Sequence, residues 1–369
     1  MKIDKKYIGI DCRMINYSGI GTYIKNLIPL VISELNDIKY FLLGNKTEIL
    51  TAGLLNNSNV EYIEFDAPIY SIKEQFVIPR LIPKNTTVFW SPHYNIPLMY
   101  TGKLFVTVHD LNHFALNRPG FSWAEKKYAK YFFKKILQKA DGIVAVSNFT
   151  RNEYIKYFDI DKYSEQLLVV HNGLAIKEST GGDKPYKKPY ILTVGNVKPH
   201  KNMSRLLEAY NIIKDSIPHD LIIVGKKTGF IGGDENILKK VDAFDRRVIM
   251  TGYISDEELY SYYSHADLFV FPSLYEGFGF PPLEAMAAGT PVVSSNAASI
   301  PEVCGDAVLY FDPFDIDDMA NKILKMISAQ SLKEKYVTIG KKQVKKYTWE
   351  KTASQTSNFI KNLLEKDLK

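Results

Sequence analysis

A chain of 369 residues has room for two or three domains, each with its own core. Its 47 basic against 41 acidic residues leave a formal charge of +6, too mild a balance for a nucleic-acid-binding surface. An apolar content of 46% with 24% charged residues is that of an ordinary globular protein. Only Cys12 and Cys304 occur, far apart, so neither a disulfide framework nor a thiolate metal site is expected. The N-terminus lacks an apolar leader, and no apolar run approaches about 18 residues. A cytoplasmic protein without a membrane span is therefore expected.

In chain order, short apolar runs alternate with amphipathic stretches, the pattern of parallel sheets covered by helices. Strands are expected at 7–12, 40–43, 60–65, 88–90, 104–108, 143–146 and 168–170, with helices at 21–35, 123–139 and 149–158. After the first strand comes Asn-Tyr-Ser-Gly-Ile-Gly-Thr-Tyr, where Gly19 and Gly21 would let the chain approach a ligand closely. The dinucleotide fingerprint Gly-x-Gly-x-x-Gly is incomplete, since Ile24 stands in its third place, and this weighs against a nicotinamide or flavin enzyme. His109 and Asp110 end the strand at 104–108, a position that suits either a site histidine or a loop cap. His93 and His113 read as loop-structuring residues. Asn172-Gly173 suits a tight turn with positive φ.

Residues 177–189 turn polar, with paired glycines and two prolines, and read as a linker. A second series of strands is expected at 190–194, 221–224, 248–251, 268–271, 292–294 and 308–311. Lys201, in a loop that opens a helix, faces either a bound anion or solvent. Ser255 and Glu258 form a capping-box pair. The most informative stretch runs from Ser273 to Val293, SLYEGFGFPPLEAMAAGTPVV. Pro281 and Pro282 suit the first turn of a helix that Gly289 closes, and a glycine-bearing loop feeding a helix start attracts a phosphate. Glu276 and Glu284 bracket that start, and a carboxylate beside an anion site is suited to sugar hydroxyls. The two series imply two Rossmann-like α/β domains facing a cleft at the strands' carboxyl ends.

This run, with its glutamates at 276 and 284, resembles the donor-site signature of GT-B glycosyltransferases of the large retaining family 4. The resemblance implies an acceptor-side domain over 1–178, a nucleotide-sugar-binding domain over 189–349, and a helix at 350–369 that crosses back to the first domain. It further implies donor contacts from Gly19, Gly21, Lys201, Tyr253, Ile254, Phe278, Gly279, Phe280 and Glu284. Glu276 and His109 would be the catalytic pair, with Asp110, His93 and His113 on the acceptor side. Family members carry an arginine near the lysine, where this chain has Asn196 and His200. No metal and no cofactor beyond the nucleoside diphosphate sugar are expected, because the Asp-x-Asp spacing at Asp315 to Asp317 reads as a helix start.

The implied activity is metal-independent transfer of a hexose to a saccharide or lipid-linked acceptor in polysaccharide synthesis. GDP-mannose leads as donor, because this run together with PHKN and TVHDLNHF is most similar to bacterial mannosyl- and rhamnosyltransferases. A dTDP- or UDP-sugar transferase, a noncatalytic nucleotide-binding subunit, and a dinucleotide-dependent oxidoreductase or epimerase remain as alternatives. In the helix at 123–139, Ala129, Phe132, Phe133 and Ile136 share one face, and Lys126, Lys127, Lys130 and Lys134 another. With Trp123, Tyr128 and Tyr131 nearby, this is either an ordinary domain-surface helix or a peripheral contact with anionic lipid.

Overall fold

The computed structural model describes residues 6–115, 123–158, 167–175, 184–225, 241, 244 and 246–365. Most of the expected linker, up to residue 183, lies outside them. The chain divides into two compact units; the first draws its described residues from 6–114, 123–175 and 347–365, the second from 184–346.

Unit 1 is built on a seven-stranded sheet in the order β3-β2-β1-β4-β5-β6-β7. Its strands are β1 (Tyr7–Asp11), β2 (Lys39–Gly44), β3 (Val60–Glu64), β4 (Val88–Ser91), β5 (Lys103–Val108), β6 (Gly142–Ala145) and β7 (Leu167–Val169), all paired in parallel. Every residue of β1, β4, β5 and β6 is buried, as a parallel sheet covered on both faces requires. The covering helices include Ser18–Glu34, Ile72–Leu81, Trp123–Lys139, Asn148–Phe158 and Trp349–Glu365. Trp123–Lys139 turns Ala129, Phe132, Phe133, Ile136 and Leu137 inward, and each such large apolar side chain contributes about 1.5–3 kcal/mol. The final helix packs against Ser18–Glu34, and the buried Lys103 Nζ donates to the carbonyl of Leu363 at 2.9 Å.

Unit 2 carries a six-stranded parallel sheet in the order β10-β9-β8-β11-β12-β13. Here β8 is Tyr190–Val194, β9 Asp220–Val224, β10 Val248–Gly252, β11 Leu268–Phe271, β12 Val292–Ser295 and β13 Leu309–Phe311. Its helix starts follow local sequence. Ser255 Oγ accepts from Glu258 N at 3.2 Å while Glu258 Oε2 accepts from Ser255 N at 2.9 Å, and Asp315 Oδ1 accepts from Asp318 N at 2.9 Å. Asp315 is thus a cap for the helix Ile316–Ser328.

In each unit the strand order reverses once, between β1 and β4 and between β8 and β11. At such a reversal the loops leave in opposite directions and open a crevice at the carboxyl ends, where open α/β sheets bind ligands.

Two local expectations are corrected. The first helix starts at Ser18, so Gly19 and Gly21 lie in its first turn rather than in a loop before it. Gly173 does not take positive φ; a Cβ there would stand 2.3 Å from the backbone nitrogen of Trp349, so close chain passage is what requires glycine.

Candidate functional site

The reversal in unit 2 is flanked by two loops, one after β8 and one after β11. After β8 the chain makes a single 3-10 turn, Pro199–Lys201, and Asn202 takes φ 57° before the helix Met203–Ile213 begins. Asn202 Nδ2 donates to the carbonyl of Pro313 at 2.8 Å, which fixes this unusual backbone. The turn aims Lys201 across the reversal: its Nζ donates to Glu276 Oε1 at 2.6 Å and lies 5.5 Å from the centre of the Phe271 ring. Both side chains are about one-sixth exposed, at 16% and 15%. Ser273 Oγ also reaches Glu276 Oε1, at 2.6 Å. Among the described residues, both partners of this carboxylate fall on Oε1, which holds Oε2 ready for another donor.

The loop carrying Glu276 is pinned from below. Ser299 Oγ lies 2.8 Å from the carbonyl of Glu276 and 2.9 Å from that of Phe278, and Ser295 Oγ donates to the carbonyl of Ser273 at 2.6 Å. The carbonyl of His200 accepts from Leu274 N at 2.7 Å and lies 3.0 Å from Ser273 Oγ, tying the two loops together. Gly279 then caps the helix Phe280–Ala287 at φ 100°, a left-handed conformation that costs a side-chain-bearing residue about 1–2 kcal/mol. Pro281 and Pro282 carry no N–H, so neither can donate to an anion at this helix start. Phe278 is buried and packs edge-on against Phe280 at 5.3 Å. One turn into the helix, Glu284 Oε2 accepts from the hydroxyl of the buried Tyr263 at 2.9 Å.

Sequence reasoning missed Ser273, Tyr263 and Ser299 as supports of the glutamates. Ser273 stands within the motif itself; Tyr263 and Ser299 come from neighbouring elements and leave no spacing signal. Tyr253 and Ile254 follow β10, the edge strand, two places from β8; Tyr253 is 77% exposed and Ile254 half-buried.

In unit 1 the reversal between β1 and β4 is filled by a buried polar network. Arg13 donates from Nε to Asp11 Oδ1 at 2.9 Å and from Nη2 to Asp11 Oδ2 at 2.7 Å. Its Nη1 donates to Glu74 Oε2 at 2.5 Å, and Glu74 Oε1 accepts from Asn95 Nδ2 at 2.6 Å. Tyr128 donates to Asn95 Oδ1 at 2.6 Å. Burial alone would raise the Asp11 carboxyl, but Arg13 and His93 outweigh it and hold it well below the usual carboxylate range. None of this network was anticipated except His93, whose Nδ1 accepts from Asn95 N and whose Nε2 lies 3.2 Å from Asp11 Oδ2. At 2% exposure His93 is a strut of the network, and it reaches a ligand only through the loop it holds.

His109 follows β5. Its Nε2 donates to the carbonyl of Pro92 at 2.9 Å, and Tyr23 meets its ring edge-on at 5.0 Å. Burial pushes its pKa down to about 4, against smaller opposing effects of the Pro92 carbonyl and Asp110. At neutral pH the ring is uncharged, so with the proton on Nε2 its Nδ1 is a hydrogen-bond acceptor. Asp110 Oδ1 accepts from Asn112 N at 3.0 Å. The side chain of His113 lies outside the described residues. Gly21 is buried, and a Cβ there would stand 2.3 Å from the carbonyl of Ile15, so its own chain accounts for the glycine; at Gly19 a Cβ would meet open space.

A family model described as glycosyl transferases group 1 matches residues 177–343, and one described as glycosyltransferase family 4 matches 85–178. The O-antigen chain mannosyltransferase B of Escherichia coli is 31% identical over 293 residues, covering 75% of this chain and 74% of the relative. The serotype-specific mannosyltransferase WbdA of Escherichia coli is 29% identical over 256 residues, 65% of this chain but only 31% of WbdA. Among solved structures, that of Anabaena HepE in complex with UDP and glucose superposes with a TM-score of 0.76 at 15% identity, covering 97% of this chain and all of HepE. At that identity the superposition speaks for the fold alone: two Rossmann-like parallel-sheet units of the GT-B type. With the family models and the O-antigen relative, it leads to the conclusion that this chain belongs to the group 1, family 4 glycosyltransferases.

Proposed function

We propose that this glycosyltransferase moves mannose from GDP-mannose to a saccharide or lipid-linked acceptor, with retention at the anomeric carbon and without a metal. The observation that carries the reading is the Lys201–Glu276 pair at the unit 2 reversal. It sets a cation for a diphosphate beside a carboxylate oxygen for a sugar hydroxyl. Lys201 and the N–H groups of Gly279 and Phe280 stabilise the charge that gathers on the departing diphosphate, the effect expected to dominate when a leaving group becomes more anionic. Glu276 Oε2 orients the hexose, and Glu284, steadied by Tyr263, takes the ribose hydroxyls. The base lies toward Tyr253 and Ile254, since β10 is two strand spacings, about 10 Å, from β8. The bond from the anomeric carbon to the phosphate oxygen breaks, the acceptor oxygen bonds to that carbon from the same face, and the acceptor's proton passes to the leaving phosphate oxygen. His109, with its depressed pKa, serves as an acceptor of sugar hydroxyl hydrogen bonds rather than as the base.

The test is a thermal-shift panel of GDP, UDP, dTDP and ADP, in which a ligand at about 100 times its dissociation constant adds about 2.7 kcal/mol of stability. GDP should respond most, and GDP should then be released from GDP-mannose in the presence of a chelator. A response led by UDP or dTDP would move the donor to a glucosyl or rhamnosyl nucleotide. No response to any of them would sink the reading.

A contact with anionic lipid through the helix Trp123–Lys139 is the second proposal. Trp123 is 71% and Tyr131 51% exposed, Lys127 Nζ lies 3.7 Å over the Trp123 ring, and Lys130 and Lys134 are exposed. Tyr128, by contrast, turns inward to Asn95.

A further inference from the structure

The unit 1 reversal holds a column of aromatic rings that the network does not explain. Phe133, fully buried, stacks on Tyr94 with centroids 4.8 Å apart and planes at 20°. Tyr94, half-buried, stacks in turn on Tyr70 at 5.8 Å and 28°. Tyr128 meets Tyr70 edge-on at 6.0 Å. The column therefore climbs from the core and ends at Tyr70, which is 45% exposed.

Keeping a tyrosine there is costly. Tyr70 has φ 70°, where a side chain loses about 1–2 kcal/mol relative to glycine, and strain of this kind collects at binding sites. Its backbone is the last turn before the helix Ile72–Leu81, whose Glu74 belongs to the Arg13 network, so the ring is held by a fixed base. The phenols of Tyr70 and Tyr94 are both raised, first by burial, and the Asp110 carboxylate adds to the rise in each. Tyr17 adds a further rise at Tyr70.

We infer that the outer face of Tyr70, backed by Tyr94, is the stacking platform for a pyranose of the acceptor. A pyranose presents C–H groups on one face and hydroxyls around its rim, so one ring stacks on Tyr70 while its hydroxyls stay in water. The inference rests on the transferase reading above, since it assigns the acceptor side of that reaction.

The test uses the full chain and saturation-transfer NMR with the methyl α-glycosides and α-linked disaccharides of mannose, rhamnose, glucose and galactose, alongside calorimetric titration of GDP. Tyr70→Gly removes the ring at a backbone position glycine prefers, so the fold is spared. It should weaken binding of the best glycoside at least tenfold and leave GDP affinity within twofold. Tyr70→Phe should keep glycoside binding within about threefold. Absence of binding by every glycoside, or equal binding by wild type and Tyr70→Gly, overturns the inference. A loss of GDP affinity in Tyr70→Gly would make the ring a nucleobase platform and also overturn it. Failure of the transferase reading would appear separately, as wild-type protein that binds no nucleoside diphosphate.

Discussion

Replacing Lys201 by alanine isolates the electrostatic logic of the unit 2 site. Its ammonium lies 2.6 Å from Glu276 Oε1, with both side chains about five-sixths buried. A diphosphate arriving there meets a cation and a carboxylate together, and Lys201 has two further N–H donors to offer without releasing Glu276. Removing the cation therefore does two things: a charge-assisted hydrogen bond is lost, and Glu276 is left to repel the incoming phosphates. Loss of such a hydrogen bond costs about 1.5–3 kcal/mol, roughly a ten- to hundredfold fall in GDP affinity. The repulsive part is separable, because Lys201→Ala combined with Glu276→Gln should bind GDP more tightly than Lys201→Ala alone. Calorimetric titration at one fixed ionic strength measures all the corners of this cycle. A change below twofold in Lys201→Ala would refute the role of the lysine, and a double variant as weak as the single one would refute the repulsion.

Glu284→Ala should raise the donor dissociation constant, whereas Glu276→Ala should mainly lower turnover; equal effects of both on affinity would remove the distinction between ribose and hexose roles. For His109, a native pKa of about 4 against about 6.5 unfolded means that, as pH falls, the unfolded chain takes up the proton first. Its contribution is thus complete above about pH 6.5 and lost toward pH 4, about 3 kcal/mol in all, and the acid slope of stability in wild type should flatten in His109→Asn. Arg13→Met strands the buried carboxylates of Asp11 and Glu74 and should cost about 3–5 kcal/mol in urea unfolding; a loss under 1 kcal/mol would mean the network is already neutral. Co-sedimentation with anionic vesicles at low salt should fall when Lys127, Lys130 and Lys134 become Gln, and wild type that stays in the supernatant would remove the lipid contact.

Much of unit 2 was legible because its information is local. The run from Ser273 to Val293 encodes a strand end, a glycine loop, a proline-started helix and two glutamates within one stretch, and the Ser255 and Asp315 caps each act within three residues. Unit 1 hid its site because Asp11, Glu74, Asn95 and Tyr128 come from widely separated segments and meet only after folding. The ring at Tyr70 could not be read either, since nothing in the sequence marks positive φ at a tyrosine. The short helix Lys46–Thr51 and the helix Ile72–Leu81, which contains Pro79, lacked the length or uninterrupted period that sequence reading relies on. At Gly21 the sequence shows that close approach is allowed but not by what, and the chain's own Ile15 carbonyl stands there.

That the helix Trp349–Glu365 belongs to the first unit has a consequence for synthesis on the ribosome. The segment that completes the N-terminal unit is made only after all of the second. Until it emerges, the Lys103 ammonium lacks the Leu363 carbonyl, and the buried face of Ser18–Glu34 stays uncovered where that helix belongs. The N-terminal unit cannot finish folding vectorially, and the second unit, begun later, is free to finish first. A stop codon that removed only the final helix would therefore damage the end of the protein that had already been made, exposing apolar surface for a chaperone to hold during translation.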